Sequence, residues 1–149
     1  MSSEHLNQFV FLTSTDTTIG FVSQNMDKLN EIKQRPKDKK FIKALNSLDT
    51  LKTFARVPNM HKKRVRRAEK STFIIKDESF RVINDKKHLL LLDKLKWAYT
   101  TSANQSGELY DEEFAIENAD IIIYPLNKKN IKASQIFSIN NTKIKRLRA

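Results

Sequence analysis

Apolar and polar positions along the chain alternate between short β-type runs and stretches with helical spacing. QFVFLT (8–13) is rich in aromatic and β-branched residues and empties into the polar STDTT, as a buried strand does when it ends in a loop. Between Asn25 and Lys33 the residues Met26, Leu29 and Ile32 share one helical face, and Pro36 forbids continuation, so Arg35 sits at a helix exit. KFIKAL (40–45) reads as a strand. SLDTLKTFA (47–55) reads as a helix with Ser47 as N-cap and Leu48, Leu51 and Phe54 facing inward. Pro58 opens another helix through NMHKKRVRRAEK.

STFIIK and SFRVI predict two strands separated by a turn at Asp77 and Glu78. NDKKHLLLLDKLK follows as a helix capped by Asn84 or Asp85, then WAYTT as a strand breaking into SANQSGE. DEEFAIENA is a short helix, DIIIY a strand, and SQIFSI and KIKRL a final strand pair. Strands and helices alternate, with two helices in succession and one hairpin. The pattern predicts an α/β fold, a single domain over 1–149 with a twisted mixed sheet and flanking helices. No repeat, low-complexity tract or linker divides it.

The composition supports that reading. A chain of 149 residues, 39% hydrophobic and 30% charged, can bury a core and is too apolar for disorder. Its apolar runs, such as LLLL at 89–92, are far short of a membrane span, and MSSEHLNQFVF does not read as a secretion signal. The absence of cysteine removes disulfides, thiolate nucleophiles and sulfur metal sites, and points to an intracellular, cytoplasmic protein. A net charge of +11 suits a polyanionic partner, although a protein that is merely basic explains it equally well.

Much familiar chemistry is excluded. With only Gly20 and Gly107, neither a dinucleotide turn nor a P-loop can be built, so side chains must handle any phosphate. His5, His61 and His88 lie far apart without ligand spacing, which suggests surface or helix residues and no metal site. Three polar clusters instead fall where strands or helices end: TSTDT (13–17), KQRPKDK (33–39) and TTSAN (100–104). Ligands of open α/β sheets collect outside the strand ends, so the three can share one cavity. There Lys33 would act as a point charge and Arg35 as a fork of donors on the same anion, with Ser102 and Asn104 as neutral donors. Taken singly, each cluster has an ordinary explanation as helix cap, helix start or polar turn.

Together the residues resemble the YrdC-like family, whose best-characterised members are threonylcarbamoyl-AMP synthases. STDTTIGF is similar to the family's opening P-T-D-T-V-Y-G-L at Thr15, Asp16, Thr17 and Gly20. Lys33, Arg35, Pro36 and Lys39 meet its K-x-R-P-x-x-K pattern, and TSANQSG at 101–107 meets T-S-A-N-x-S-G. Arg81 and Val82 resemble its R-V after a hairpin, and SQI at 134–136 with Arg146 its S-x-I strand followed by an arginine. The family's P-G-P-x-T element is replaced by AEKSTFI, in which Thr72 is retained.

The resemblance implies a YrdC-like fold around an open basic cavity and a nucleotidyltransferase that takes L-threonine, bicarbonate and ATP and releases pyrophosphate. Its product would pass to tRNA-modification proteins making threonylcarbamoyladenosine. It assigns catalysis to Lys33, Arg35, Ser102 and Asn104, and ATP contact to these four with Lys39 and Arg146. Threonine would be held by Thr15, Arg81 and Ser134, and Mg²⁺ would arrive on ATP without a dedicated protein cage. The alternative is a family member that binds nucleotide or RNA without making the product. RVPNMHKKRVRRAEK (56–70), with seven basic residues and one acidic, and the tail KIKRLRA can form a face for tRNA or duplex RNA, or a solvated helix face. Trp97, Tyr99 and Phe80 are expected in the core.

Overall fold

The computed structural model describes residues 3–34, 40–126, 135–140 and 143–148. Among the described residues, nine strands are β1 (Phe11–Ser14), β2 (Ile19–Ser23), β3 (Ile42–Leu45), β4 (Ser71–Ile75), β5 (Glu78–Val82), β6 (Trp97–Ser102), β7 (Ile121–Ile122), β8 (Gln135–Ile139) and β9 (Ile144–Arg148). They form one mixed sheet in the order β7-β1-β2-β6-β3-β5-β4-β8-β9. β1 with β7, β3 with β5 and β4 with β8 run parallel; the remaining neighbours are antiparallel. The helices are α1 (Ser3–Leu6), α2 (Met26–Lys33), α3 (Leu48–Lys52), α4 (Asn59–Arg67), α5 (Lys86–Leu95) and α6 (Glu112–Asn118). Among the described residues, no helix is long and apolar enough to cross a membrane.

Local chemistry sets the helix starts. The side chains of Asn25, Ser47, Asp85 and Asp111 each accept a hydrogen bond from a backbone N–H of the first turn that would otherwise lack a partner. Pro58 stands at the entry to α4, where no N–H is missed.

Alternation along the strands divides the sheet into two faces. Leu12, Phe21 and Leu29 form a core with α2 and α6. Leu45, Phe73, Phe80 and Phe137 form another with α3 and α4. Their sequence neighbours Phe11, Val22 and Ala44 point the other way, onto Leu91, Leu92 and Leu95 of α5. That second face is only partly covered. By register, Gly20, Ile42, Thr100 and Arg81 share it with Val22 and Ala44, and an open cavity lies over them.

Several expectations need correction. β2 and the short α1 were not anticipated: IGFVS is buried at every position, so no polar alternation marks β2, and a glycine interrupts it. The hairpin turn is Lys76 and Asp77, both with positive φ as a two-residue turn requires, so Glu78 belongs to β5. α3 ends at Lys52, and Phe54 leaves the inner face to meet Trp97 edge-on at 5.5 Å, with Lys43 Nζ 3.9 Å from its ring centroid. DIIIY contributes only a two-residue strand. Phe80 is buried as expected, and Trp97 and Tyr99, though half-buried, pack against the core as expected. His61 and His88 are helix residues, as one of the two expected placements had it, and both are buried.

Candidate functional site

A cavity of about 380 Å³ opens on the uncovered part of the sheet, walled by Thr15, Gly20, Lys40, Arg81, Ser102 and Arg148 among others. Its first wall is the β1–β2 turn. Thr15 Oγ1 accepts from the N–H groups of Thr17 and Thr18 at 3.3 and 3.2 Å and donates to the Thr18 carbonyl at 2.7 Å. This side-chain-closed turn holds Asp16 and Thr17 at its tip.

The tip meets Arg81 of β5. Arg81 is 6% exposed, and its NH1 donates to Asp16 Oδ1 at 3.2 Å and Thr17 Oγ1 at 3.3 Å. Its Nε and NH2 both donate to Thr72 Oγ1, at 3.3 and 3.2 Å. Burial lowers the proton affinity of Arg81, Asp16 counters this, and the positive charge of Arg148 adds to the lowering; a guanidinium nevertheless stays charged. The ion pair is enclosed, with side-chain exposures of 7% for Arg81 and 8% for Asp16. Behind it, His88 of α5 is buried with no hydrogen-bond partner for Nδ1 among the described residues. Burial drives its pKa down to about 4 against the pull of Asp16 and Asp85, and Arg81 lowers it further, so the ring is neutral at pH 7.

The opposite wall is the segment after β6. Lys33, at the last turn of α2, is only 2% exposed. Its Nζ donates to the carbonyls of Ser102 and Asn104 at 3.0 and 2.6 Å and to Asn104 Oδ1 at 3.4 Å. Ser106 Oγ returns a hydrogen bond to the Lys33 carbonyl. Ser102 Oγ donates to Asn104 Oδ1, while Asn104 Nδ2 donates to the carbonyls of Gln105 and Glu108 at 3.0 and 2.8 Å. The end of α2 and the TSAN segment therefore touch, and Lys33 fastens one to the other. Gly20 lies between the walls, where a Cβ would stand 2.9 Å from the Thr101 carbonyl oxygen.

The last wall comes from β9. Its pairing with β8 shifts between Ile136 and Phe137, so Arg146 lies opposite Phe137 while Arg148, two residues on, lies opposite Ile136. A bulge at Leu147 thus sends the two arginines to opposite faces. Arg148 lines the cavity with Thr15, Arg81 and Ser102. Arg146, expected to contact ATP, does not line this cavity and shares a face with Phe137 on the far side of the sheet. Lys33 and Asn104 brace the rim from behind Ser102. Arg35, Lys39 and Ser134 lie outside the described residues.

Sequence reasoning missed Lys40 and Arg148 in the lining and the support of Arg81 by Asp16, Thr17 and Thr72. Lys40 stands just beyond the basic turn and could have been found by its place ahead of β3. The step to Arg148 had no signal, because a bulge leaves no mark in KIKRLRA.

Comparison with known proteins now decides the family. The Sua5/YciO/YrdC family model, described as "Telomere recombination", matches residues 9–149. The chain belongs to this family. Among solved structures, a double variant of P. abyssi Sua5 superposes with a TM-score of 0.81 at 18% identity, covering 98% of this chain and 54% of that one. P. abyssi Sua5 complexed with L-threonine gives a TM-score of 0.80 at 18% identity, with 98% and 52% covered. E. coli YciO gives 0.71 at 19% identity, with 99% and 89% covered. The fold is that of Sua5/YciO/YrdC proteins, and this family member spans about half the length of the Sua5 chains it resembles. No curated protein matches it.

Proposed function

We propose that the cavity binds L-threonine beside ATP and that the chain is a threonylcarbamoyl-AMP synthase. The reading rests above all on one convergence: the turn bearing Asp16, the buried guanidinium of Arg81 and the 101–107 segment meet at one cavity with Lys40 and Arg148. The resemblance of the motifs and a Sua5 neighbour solved with L-threonine support the choice of substrate.

Each residue has a task in this scheme. Arg81 receives the threonine carboxylate; Asp16, Thr17 and Thr72 hold its guanidinium in orientation. Threonine and bicarbonate condense to N-carboxy-threonine with loss of water. Its new carboxylate attacks the α-phosphorus of ATP, the bond to the bridging oxygen breaks, and pyrophosphate leaves. Such transfer requires positioning and charge stabilisation, with no covalent protein nucleophile. Lys40 and Arg148 face the phosphates, the motif resemblance adds Arg35 and Lys39 as ATP contacts, and the Ser102 hydroxyl becomes a neutral donor by turning from Asn104 Oδ1. Lys33 and Asn104 keep the 102–106 segment in register. Among the described residues no three His, Cys, Asp or Glu side chains gather as a metal site, so Mg²⁺ fits here as a companion of ATP, held by phosphate and water oxygens.

Binding of nucleotide without turnover is the second reading, favoured by the engagement of Lys33 with backbone carbonyls and of Arg81 with Asp16. Pyrophosphate release from ATP separates the two. The synthase releases it only when threonine and bicarbonate are both present, and Arg148→Gln lowers the rate by about tenfold or more. Release that ignores threonine, or none at all, rejects the synthase.

A further inference from the structure

We infer that the face of the sheet away from the cavity holds a second ligand site, a pocket for a small aromatic carboxylate anchored by Lys43 and linked to the cavity through Lys40. Lys43 is the residue that points to it. It stands in β3, between β5 and β6, directly across the two ladders from Phe80 and Tyr99. Its neighbour Ala44 faces α5, so Lys43 projects onto the face where the other two cores are built. A cation in a central strand on a core-building face is costly to desolvate and calls for a partner.

The protein's own side chains meet that need only in part. The Lys43 ammonium lies 3.9 Å from the centroid of the Phe54 ring, 4.9 Å from Trp97, 5.5 Å from Tyr99 and 6.0 Å from Phe80. Phe54 meets Trp97 edge to face at 5.5 Å, and Trp97 meets Tyr99 in the same way at 5.2 Å, so three rings stand as walls around one charge. Ring faces attract an ammonium but leave its three N–H donors without an ordinary acceptor. Among the described residues the Lys43 side chain makes neither a hydrogen bond nor an ion pair. Burial lowers its proton affinity, and Glu78 counters this without reaching ion-pair distance. A purely structural lysine accounts for the rings; it does not account for the space beside them.

That space is a pocket of about 190 Å³ between the two cores of this face. Met26, Phe41, Phe80 and Tyr99 line it with apolar surface, and Lys40, Lys43 and Glu78 supply its charge. It falls below the roughly 300 Å³ at which drug-sized pockets begin, so it admits one ring with a small substituent and excludes a nucleotide. Aromatic rings and a thioether suit a flat apolar body. Two ammonium groups against one carboxylate select an anion for its polar end, and a carboxylate there accepts from the unpaired Lys43 donors. Lys40, just ahead of β3, lines this pocket and the substrate cavity alike. One ammonium cannot serve a carboxylate in the pocket and a phosphate in the cavity at once, so each ligand weakens the other by the same factor. The pocket stands without the proposed function; its effect on ATP rests on that reading.

Trp97, the chain's one tryptophan, is a built-in reporter, because its emission changes when the ammonium beside it is drawn toward a carboxylate. Titration of benzoate into the full chain should shift Trp97 fluorescence saturably. Acetate, which lacks the ring, and benzylamine, which reverses the charge, should not. By calorimetry, Lys43→Met should weaken benzoate binding about tenfold or more, while Lys43→Arg, which keeps a cationic donor, should retain most of it. No saturable response to benzoate, tighter binding of benzylamine than of benzoate, or undiminished benzoate affinity in Lys43→Met would overturn the pocket; the benzylamine comparison needs no variant. ATP affinity with and without saturating benzoate reads the link, and a several-fold loss is expected. ATP binding that ignores benzoate would overturn the link through Lys40. If ATP does not bind at all while benzoate binding still requires Lys43, the proposed function falls and the pocket stands.

Discussion

Gly20 sits between two walls of the cavity, and its lack of a Cβ lets β2 lie close to β6 there. An added Cβ would lie 2.9 Å from the Thr101 carbonyl oxygen and 3.2 Å from Thr15 Cγ2, and the first of these is backbone. Gly20→Ala should therefore lower stability by about 1–3 kcal/mol in urea denaturation, through a forced shift of β2 against β6. Asp16 exerts a second constraint on the site. Its loss would strand the buried Arg81 charge, so Asp16→Ala should cost about 3–5 kcal/mol by the same measurement. His88 sets a pH dependence. Its folded pKa of about 4 lies below the ordinary 6.5, so the unfolded chain binds the proton more readily. Stability is then full above pH 6.5 and falls by up to roughly 3 kcal/mol as the pH drops through 4. His88→Asn should flatten this arm of the stability curve. At this scale the legibility of the sequence was uneven. Thr15, Arg81 and Ser102 stood in recognisable motifs. The burial of Lys33 did not show, because an ammonium beside a proline stop reads as a helix-end cation until its carbonyl partners are known.

Among the elements, the latch between α2 and the segment after β6 gives the cavity its rigid side. Lys33→Met keeps the stem and removes three hydrogen bonds, leaving the Ser102 and Asn104 carbonyls short of a donor. A loss of about 1–3 kcal/mol is expected, with hydrogen exchange at 103–108 accelerating ahead of the rest of the chain. Uniform exchange across the molecule would show that Lys33 fastens nothing. Helices were read well because their caps are chemical: Asn25, Ser47 and Asp85 announce themselves by type and spacing. Strand β2 escaped because the alternation that marks a half-exposed strand is missing from one buried on both faces. The bulge in β9 escaped for a different reason. It is imposed by pairing with β8, and only the ladder reveals that Arg146 and Arg148 part company.

For the molecule as a whole, the mixed sheet divides its work between two faces. One carries the cavity with Arg81, Lys40 and Arg148; the other carries the cores under α2, α3, α4 and α6, the pocket beside Lys43 and the basic residues of α4. The alternation of elements made the α/β class and the mixed sheet legible, but strand order depends on crossovers that no local pattern records. The net charge of +11 was equally plain, while its partition between the cavity and an outer face required the fold. In the proposed function, threonine and ATP share the cavity. Isothermal titration calorimetry of L-threonine and of ATP, each alone and each in the presence of the other, tests it most directly. Both should bind, each should alter the affinity of the other by the same coupling, and Arg148→Gln should weaken ATP binding. Absence of threonine binding with and without ATP, or ATP affinity unchanged in Arg148→Gln, would contradict it.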